Sequence, residues 1–172
     1  MSSVSGFPLP GSGSPVVAAV APGSGPGYWA GASCTLLEAD RTFVVGYRVR
    51  NGHDGNDQTL VARSDDGERL TTVATLDESD FGAMGLERPA LARSDDGRWR
   101  LYVCCATPGS AHWWIDMLEA DSPEELGSAE RRPAFPGDDR VGVRTRSSSG
   151  RRTAGMPGSA AIRWTRRARR TA

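Results

Sequence analysis

From Tyr28 onward the apolar residues fall into short runs of Val, Leu, Thr and aromatic side chains, each followed by a turn that contains aspartate. The runs are "CTLLEADRTFVVGYRVR", "QTLVARSDDGERLTTVATL", "RPALARSDDGRWRLYVCCA" and "HWWIDMLEADSPEEL". Runs of this length, bounded by Asp and Gly, predict strands joined by tight turns. No long helical period interrupts them. The chain ahead of Tyr28 reads differently. Residues 5–27 are mostly Pro, Gly and Ser around "PVVAAVA". Residues 1–27 are therefore expected to be a flexible lead-in with one potential edge strand at Val16–Val20.

The strand pattern repeats. Residues 33–49 and 88–104, about 55 positions apart, share a small apolar strand, an acidic turn and a second strand ending in aromatic and Val residues. Two strand pairs per period make a four-stranded antiparallel unit. A sheet that small buries its faces only against neighbours, as the blades of a β-propeller do around their axis. The expected fold is all-β: a partial β-propeller of about two four-stranded blades over 28–139 and the stub of a third, with irregular N- and C-terminal segments. A β-sandwich with chance internal similarity is the competing architecture.

Charge draws a boundary near the C-terminal end. The 172 residues carry 21 acidic and 21 basic side chains, and every basic one is Arg. Residues 1–139 hold all 21 acidic groups beside 11 arginines, whereas residues 140–172 hold the other 10 arginines and no acidic group. A third unit should begin near Val143, yet residues 144–172 show neither alternation nor an acidic turn. Read one base out of frame with GC-rich codons, the same stretch gives a small apolar strand, an Asp-Gly turn and a Trp-Leu-Cys-Cys strand like Tyr102–Cys105. Residues 140–172 are thus expected to be an Arg-rich disordered tail, out of frame from about Arg144, with the intended protein longer. The alternatives are an Arg arm that neutralises phosphates and an ordinary disordered tail. Nucleic acid is not the expected partner, because the tail has no aromatic beyond Trp164 and no reader motif.

Three cysteines, Cys34 and the vicinal pair Cys104 and Cys105, do not make a disulfide framework. The first residues lack a basic signal region, and the longest apolar run is too short to span a bilayer. A soluble, cytoplasmic protein without a membrane partner is expected.

The strand–turn–strand units "TLLEADRTFVVGYRV", "ARSDDGERL", "RPALARSDDGRWRLYV" and "HWWIDMLEADSPEEL" resemble those of the five-bladed β-propeller glycoside hydrolases. That superfamily holds the family 43 arabinanases and β-xylosidases, with the family 32 invertases as relatives. The resemblance covers roughly residues 28–139. It implies carboxylates projecting into a central funnel: one acid, one base and a third that tunes the acid. It also implies a ring of equivalent positions at Ala32 and Ser33, Glu87 and Arg88, and Arg144 and Thr145. Where the family places the base in an Asp-Pro step, this chain has Ser33-Cys34. The expectation is a glycoside-hydrolase-like propeller fragment that acts on or binds a small carbohydrate and is inactive as this chain. The alternatives are a non-catalytic carbohydrate-binding propeller and a nucleic-acid or partner-binding protein that uses the Arg tail.

Glu87 leads the candidate catalytic carboxylates, standing in "GLERPAL" just before an apolar strand and beside Arg88, a pair able to hold a sugar hydroxyl. A surface ion pair at a strand start is its plain alternative. Asp116 interrupts the apolar strand "WWIDMLE", so it faces the funnel or is neutralised by a partner. Trp113 and Trp114 must point to opposite faces of their strand, one into the core and the other available to stack on a sugar ring. The loop "RVRNGHDGNDQ" gathers Arg48, Arg50, His53, Asp54 and Asp57, a set that can recognise hydroxyls or simply be solvated. No metal site or cofactor is expected, because the His and Cys spacing fits no zinc site and "ARSDDG" reads as a turn. Open sheet edges make self-association an expected liability.

Overall fold

Strands form where the apolar runs stand, and local side-chain hydrogen bonds close the turns between them. The computed structural model describes residues 14–52, 57–137, 141–144 and 165–168. Strands β1 (Tyr28–Leu37), β2 (Phe43–Asn51), β3 (Gln58–Ser64) and β4 (Thr71–Asp77) make one antiparallel sheet in sequence order. After a single helical turn, α1 (Glu78–Phe81), strands β5 (Leu86–Arg93), β6 (Trp99–Ala106), β7 (Trp113–Ala120) and β8 (Arg131–Phe135) make a second. A short pair, β9 (Val141–Arg144) and β10 (Thr165–Ala168), follows. Among the described residues the chain is all-β apart from α1 and one 3-10 turn at Glu124–Ser128.

Pairing registers define the repeat. Adding 56 to both members of the pairs Leu37–Phe43, Cys34–Gly46 and Gly31–Arg48 gives Arg93–Trp99, Ala90–Tyr102 and Glu87–Cys104, which are also paired. The same offset carries Phe43–Ser64 onto Trp99–Ala120. Both first strands have their irregularity at the same place, with Ala32 at φ 50 and Arg88 at φ 45. The structural period is 56 rather than the 55 read from the sequence, so Gly31 and Ala32 match Glu87 and Arg88. The fourth strands depart from it: Ala62 pairs Thr72, but Leu118 pairs Arg131, because the longer second connection holds the 3-10 turn.

The hexapeptide "ARSDDG" is not this repeat. Its first copy joins β3 to β4, and its second joins β5 to β6. In the first, Ser64 Oγ accepts from Gly67 N at 2.8 Å and Asp66 accepts from Glu68 N and Arg69 N, both at 2.9 Å. In the second, Ser94 Oγ accepts from Arg98 N at 2.9 Å. Glycines at φ 79 (Gly67) and φ 84 (Gly97) supply the left-handed step that each turn needs.

The sheets stack in one sense. Alternation puts Leu36, Val44, Val61, Ala74 and Leu76 on one face of the first sheet, where they join Leu86, Leu91, Trp99, Leu101, Val103, Cys105 and Leu118 of the second in one buried core. The offset of 56 maps Val45, Tyr47 and Val49 onto Leu101, Val103 and Cys105. Val45, Tyr47 and Val49, however, lie on the far side of the first sheet, in a separate smaller cluster with Ala62. The second sheet therefore meets the first with the face that the first turns away. β9 then packs against β7 on the remaining face of the second sheet, where Cys104 Sγ donates to Val143 O at 3.7 Å. Each fully buried large apolar side chain contributes about 1.5–3 kcal/mol. Trp99, Leu86, Leu101, Ile115, Leu118 and Leu126 are all of this kind.

Two expectations are corrected. No strand forms at Val16–Val20; residues 14–27 run without regular pairing, and Ala19 packs on the far cluster of the first sheet. Within the segment expected to be without structure, Val141–Arg144 and Thr165–Ala168 are paired strands. Residues 1–13, 145–164 and 169–172, on which the rest of the lead-in and tail expectations fall, lie outside the described residues. Among the described residues no helix is long and apolar enough to cross a membrane.

Candidate functional site

The alternation of β2 forces one charged side chain into the interface between the sheets. Val44, Gly46 and Arg48 share the face that packs on the second sheet, so Arg48 stands where the pattern calls for an apolar residue, and it is buried. An unpaired buried guanidinium would cost several kcal/mol. Asp57, buried just ahead of β3, answers it with a short hydrogen bond from Arg48 Nη2. Glu87 Oε1, at the start of β5, lies 3.5 Å from Arg48 Nη1. Arg50 Nε lies 3.6 Å from Asp57 Oδ1, and half of the Arg50 side chain is exposed.

The backbone positions this group closely. Glu78 N donates to Asp57 O at 3.0 Å, which ties the loop ahead of β3 to the end of β4. Gly85 leaves room for the Asp57 carboxylate, because a Cβ there would stand 3.0 Å from Oδ2. Trp29 on β1 completes the group, its ring centroid 5.6 Å from the Arg48 guanidinium carbon. Two buried polar atoms here, Arg48 Nε and Thr59 Oγ1, have no hydrogen-bond partner among the described residues. They belong to paired residues, since Arg48 of β2 faces Thr59 of β3.

Among the residues singled out from the sequence, the structure thus gathers Arg48, Arg50 and Glu87, together with Asp57. Arg88 follows Glu87 and is exposed at the β5 irregularity. His53 and Asp54 lie outside the described residues. Asp116 is buried on β7, and its Oδ1 has no hydrogen-bond partner among the described residues. Its register partner on β6 is Val103, whereas that of Glu87 is the adjacent Cys104, so the two carboxylates take positions on opposite faces of the second sheet. Trp114 packs on the main core, and Trp113, one residue earlier, takes the other face; both are half-buried.

Sequence reasoning passed over Trp29 and Thr59. The signal for both was register: Thr59 pairs with Arg48, and Trp29 pairs with Arg50, across strands whose alignment the sequence did not settle by itself.

The thiols are not part of this chemistry. Burial pushes the Cys34 thiol up to about 11, partly offset by hydrogen bonds that include Leu91 N to its sulfur at 3.3 Å. Burial, and then the negative charge of Asp116, pushes the Cys105 thiol up as well. A raised thiol is a poor nucleophile at neutral pH. At the other end of β1 the sheets are joined by Arg93–Glu38 at 2.9 Å, and the fourth strands' side by Arg63–Glu124 at 2.6 Å. No protein-family model, curated protein or solved structure matches the chain.

Proposed function

We propose that this chain is a glycoside-hydrolase-like propeller fragment whose two four-stranded sheets are blades, and that it binds a small carbohydrate beside Arg48, Arg50, Asp57 and Glu87 without hydrolysing it. The single observation that carries the reading is the convergence of two guanidinium groups and two carboxylates at one end of the interface between the sheets. Guanidinium and carboxylate groups together donate to and accept from sugar hydroxyls, and charge-assisted hydrogen bonds are the stronger kind. Same-sense stacking supports the blade assignment, because sheets related by a repeated rotation present opposite faces to one another, whereas two sheets related by a twofold axis present the same face.

The register argues for binding over catalysis. Hydrolysis needs an acid and a base on either side of one glycosidic bond. Glu87 and Asp116 hold positions on opposite faces of one sheet, and Glu87 is engaged by Arg48.

The test is calorimetric titration of the full chain with a panel of neutral pentose and hexose disaccharides, beside an assay with aryl glycosides. We expect saturable binding of at least one disaccharide, a loss of about 10-fold or more in Arg50→Ala, and no release of the aryl group. Absence of binding across the panel, or a ligand indifferent to Arg50→Ala, would sink the proposal.

A further inference from the structure

We infer that Trp29 is the stacking platform of the site, receiving the apolar face of a sugar ring while the charged groups hold its hydroxyls; the inference rests on the carbohydrate reading above. A sugar ring whose axial C–H bonds cluster on one side presents an apolar face there, and an exposed indole matches that face in area and polarity.

Trp29 is the most exposed of the described tryptophans. It is 40% exposed, whereas Trp99 is 2% exposed and Trp113 and Trp114 are half-buried. Its place on β1 is fixed from two sides. Its register partner is Arg50, and the Arg48 guanidinium lies over its ring. Gly31 gives the indole room, since a Cβ at that position would come within 3.2 Å of Trp29 Cζ2. A large apolar surface held half in water at the rim of a buried ionic cluster gains nothing for folding from its exposed part. It also sits within reach of the polar groups that a ring ligand would engage.

Tyr28, one residue earlier and paired with Asn51, takes the opposite face of β1 from Trp29. It is 38% exposed, and it is braced by glycines: a Cβ at Gly23 would overlap its ring at 2.5 Å, and Gly52 lies 3.5 Å away by the same measure.

The experiment follows the indole N–H resonances of the five tryptophans in the full chain during titration with the disaccharide that binds most tightly, with Trp29 assigned by loss of its signal in Trp29→Phe. The largest shift is expected at Trp29. Affinity is expected to fall 10-fold or more in Trp29→Ala and to stay within about threefold in Trp29→Phe, which keeps a flat face. A silent Trp29 resonance during saturable binding that remains sensitive to Arg50→Ala would overturn the platform and leave the polar site standing. No binding by the parent chain would overturn both. Because the resonance is read in the parent protein, the test holds even if Trp29→Ala fails to fold.

Discussion

At matching positions 56 residues apart, the first sheet carries Arg48, Asp57 and Thr59 where the second carries Cys104, Trp113 and Ile115. The irregularity in the first strand and the pairing registers agree across the first three strands of each. What differs is the chemistry on one face. Cys104 and Ile115 are buried and fit an apolar interface, whereas Arg48 and Thr59 are buried and have polar atoms without a hydrogen-bond partner among the described residues. A repeated backbone can be built from either set. The polar set costs stability where it stands, which marks it as the place where the fold gives something up for another purpose.

The sharpest way to break this comparison is to remove the partner of the buried charge. Asp57→Ala leaves Arg48 with Glu87, at 3.5 Å, as its carboxylate partner among the described residues, and is expected to cost about 3–5 kcal/mol in urea unfolding. Cys104→Ala, at the position of the second sheet that matches Arg48, should cost about 1 kcal/mol. The double replacement Arg48→Met with Asp57→Leu, which makes the first sheet resemble the second, should fall within about 1 kcal/mol of the parent or exceed it, while abolishing sugar binding. Equal losses in Asp57→Ala and Cys104→Ala would mean that the ionic group is not the special feature of the interface.

A smaller effect tests the packing between the sheets. Gly46 and Tyr102 are counterparts, and only the first faces the second sheet closely. A Cβ at Gly46 would stand 3.0 Å from Cys34 Sγ and 3.4 Å from Leu91. Gly46→Ala is therefore expected to cost about 1–3 kcal/mol by overpacking, read as a lower urea midpoint with an unchanged slope. A neutral outcome would move Leu91 away from β2.

The smallest expected effect distinguishes the two "ARSDDG" turns. Asp66 is held at about 2, chiefly by the backbone N–H groups of Arg69 and Glu68, and Asp96 at about 2, chiefly by the Ser94 hydroxyl and the Arg98 guanidinium. Both carboxyls are depressed below their unfolded value near 3.9. Their contribution is thus present above about pH 4 and is lost as pH falls toward 2. Arg98→Ala should raise the Asp96 titration midpoint in carboxyl NMR. Arg69→Ala should move Asp66 less, because the backbone donor survives the substitution.

Much of this fold was legible in the sequence. Alternating apolar runs and Asp-Gly turns gave the strands and the two four-stranded antiparallel sheets, because those signals act within a few residues. The exact period was off by one position, because residues 33–49 and 88–104 match in residue type almost as well when shifted by one, and only the pairing registers fix the offset at 56. Side-chain alternation could not say which face of each sheet would meet the other, as that choice is made by packing across the interface. For the site, Arg48, Arg50 and Glu87 stood out as charged residues next to apolar strands. Trp29 and Thr59 did not, because their relevance depends on cross-strand register. The edge strand anticipated at Val16–Val20 pairs with no strand among the described residues, and Ala19 packs against the Val45 cluster instead.

Same-sense stacking is the claim on which the blade assignment and the location of the site both depend. It is tested most directly by nuclear Overhauser contacts from the methyl groups of Leu91 in the selectively labelled full chain. Contacts to Gly46 and Cys34 are expected, with none to Val45 or Tyr47. Contacts to Val45 and Tyr47 instead would mean that the sheets meet through the same face, a sandwich, and the account of both fold and site would fail.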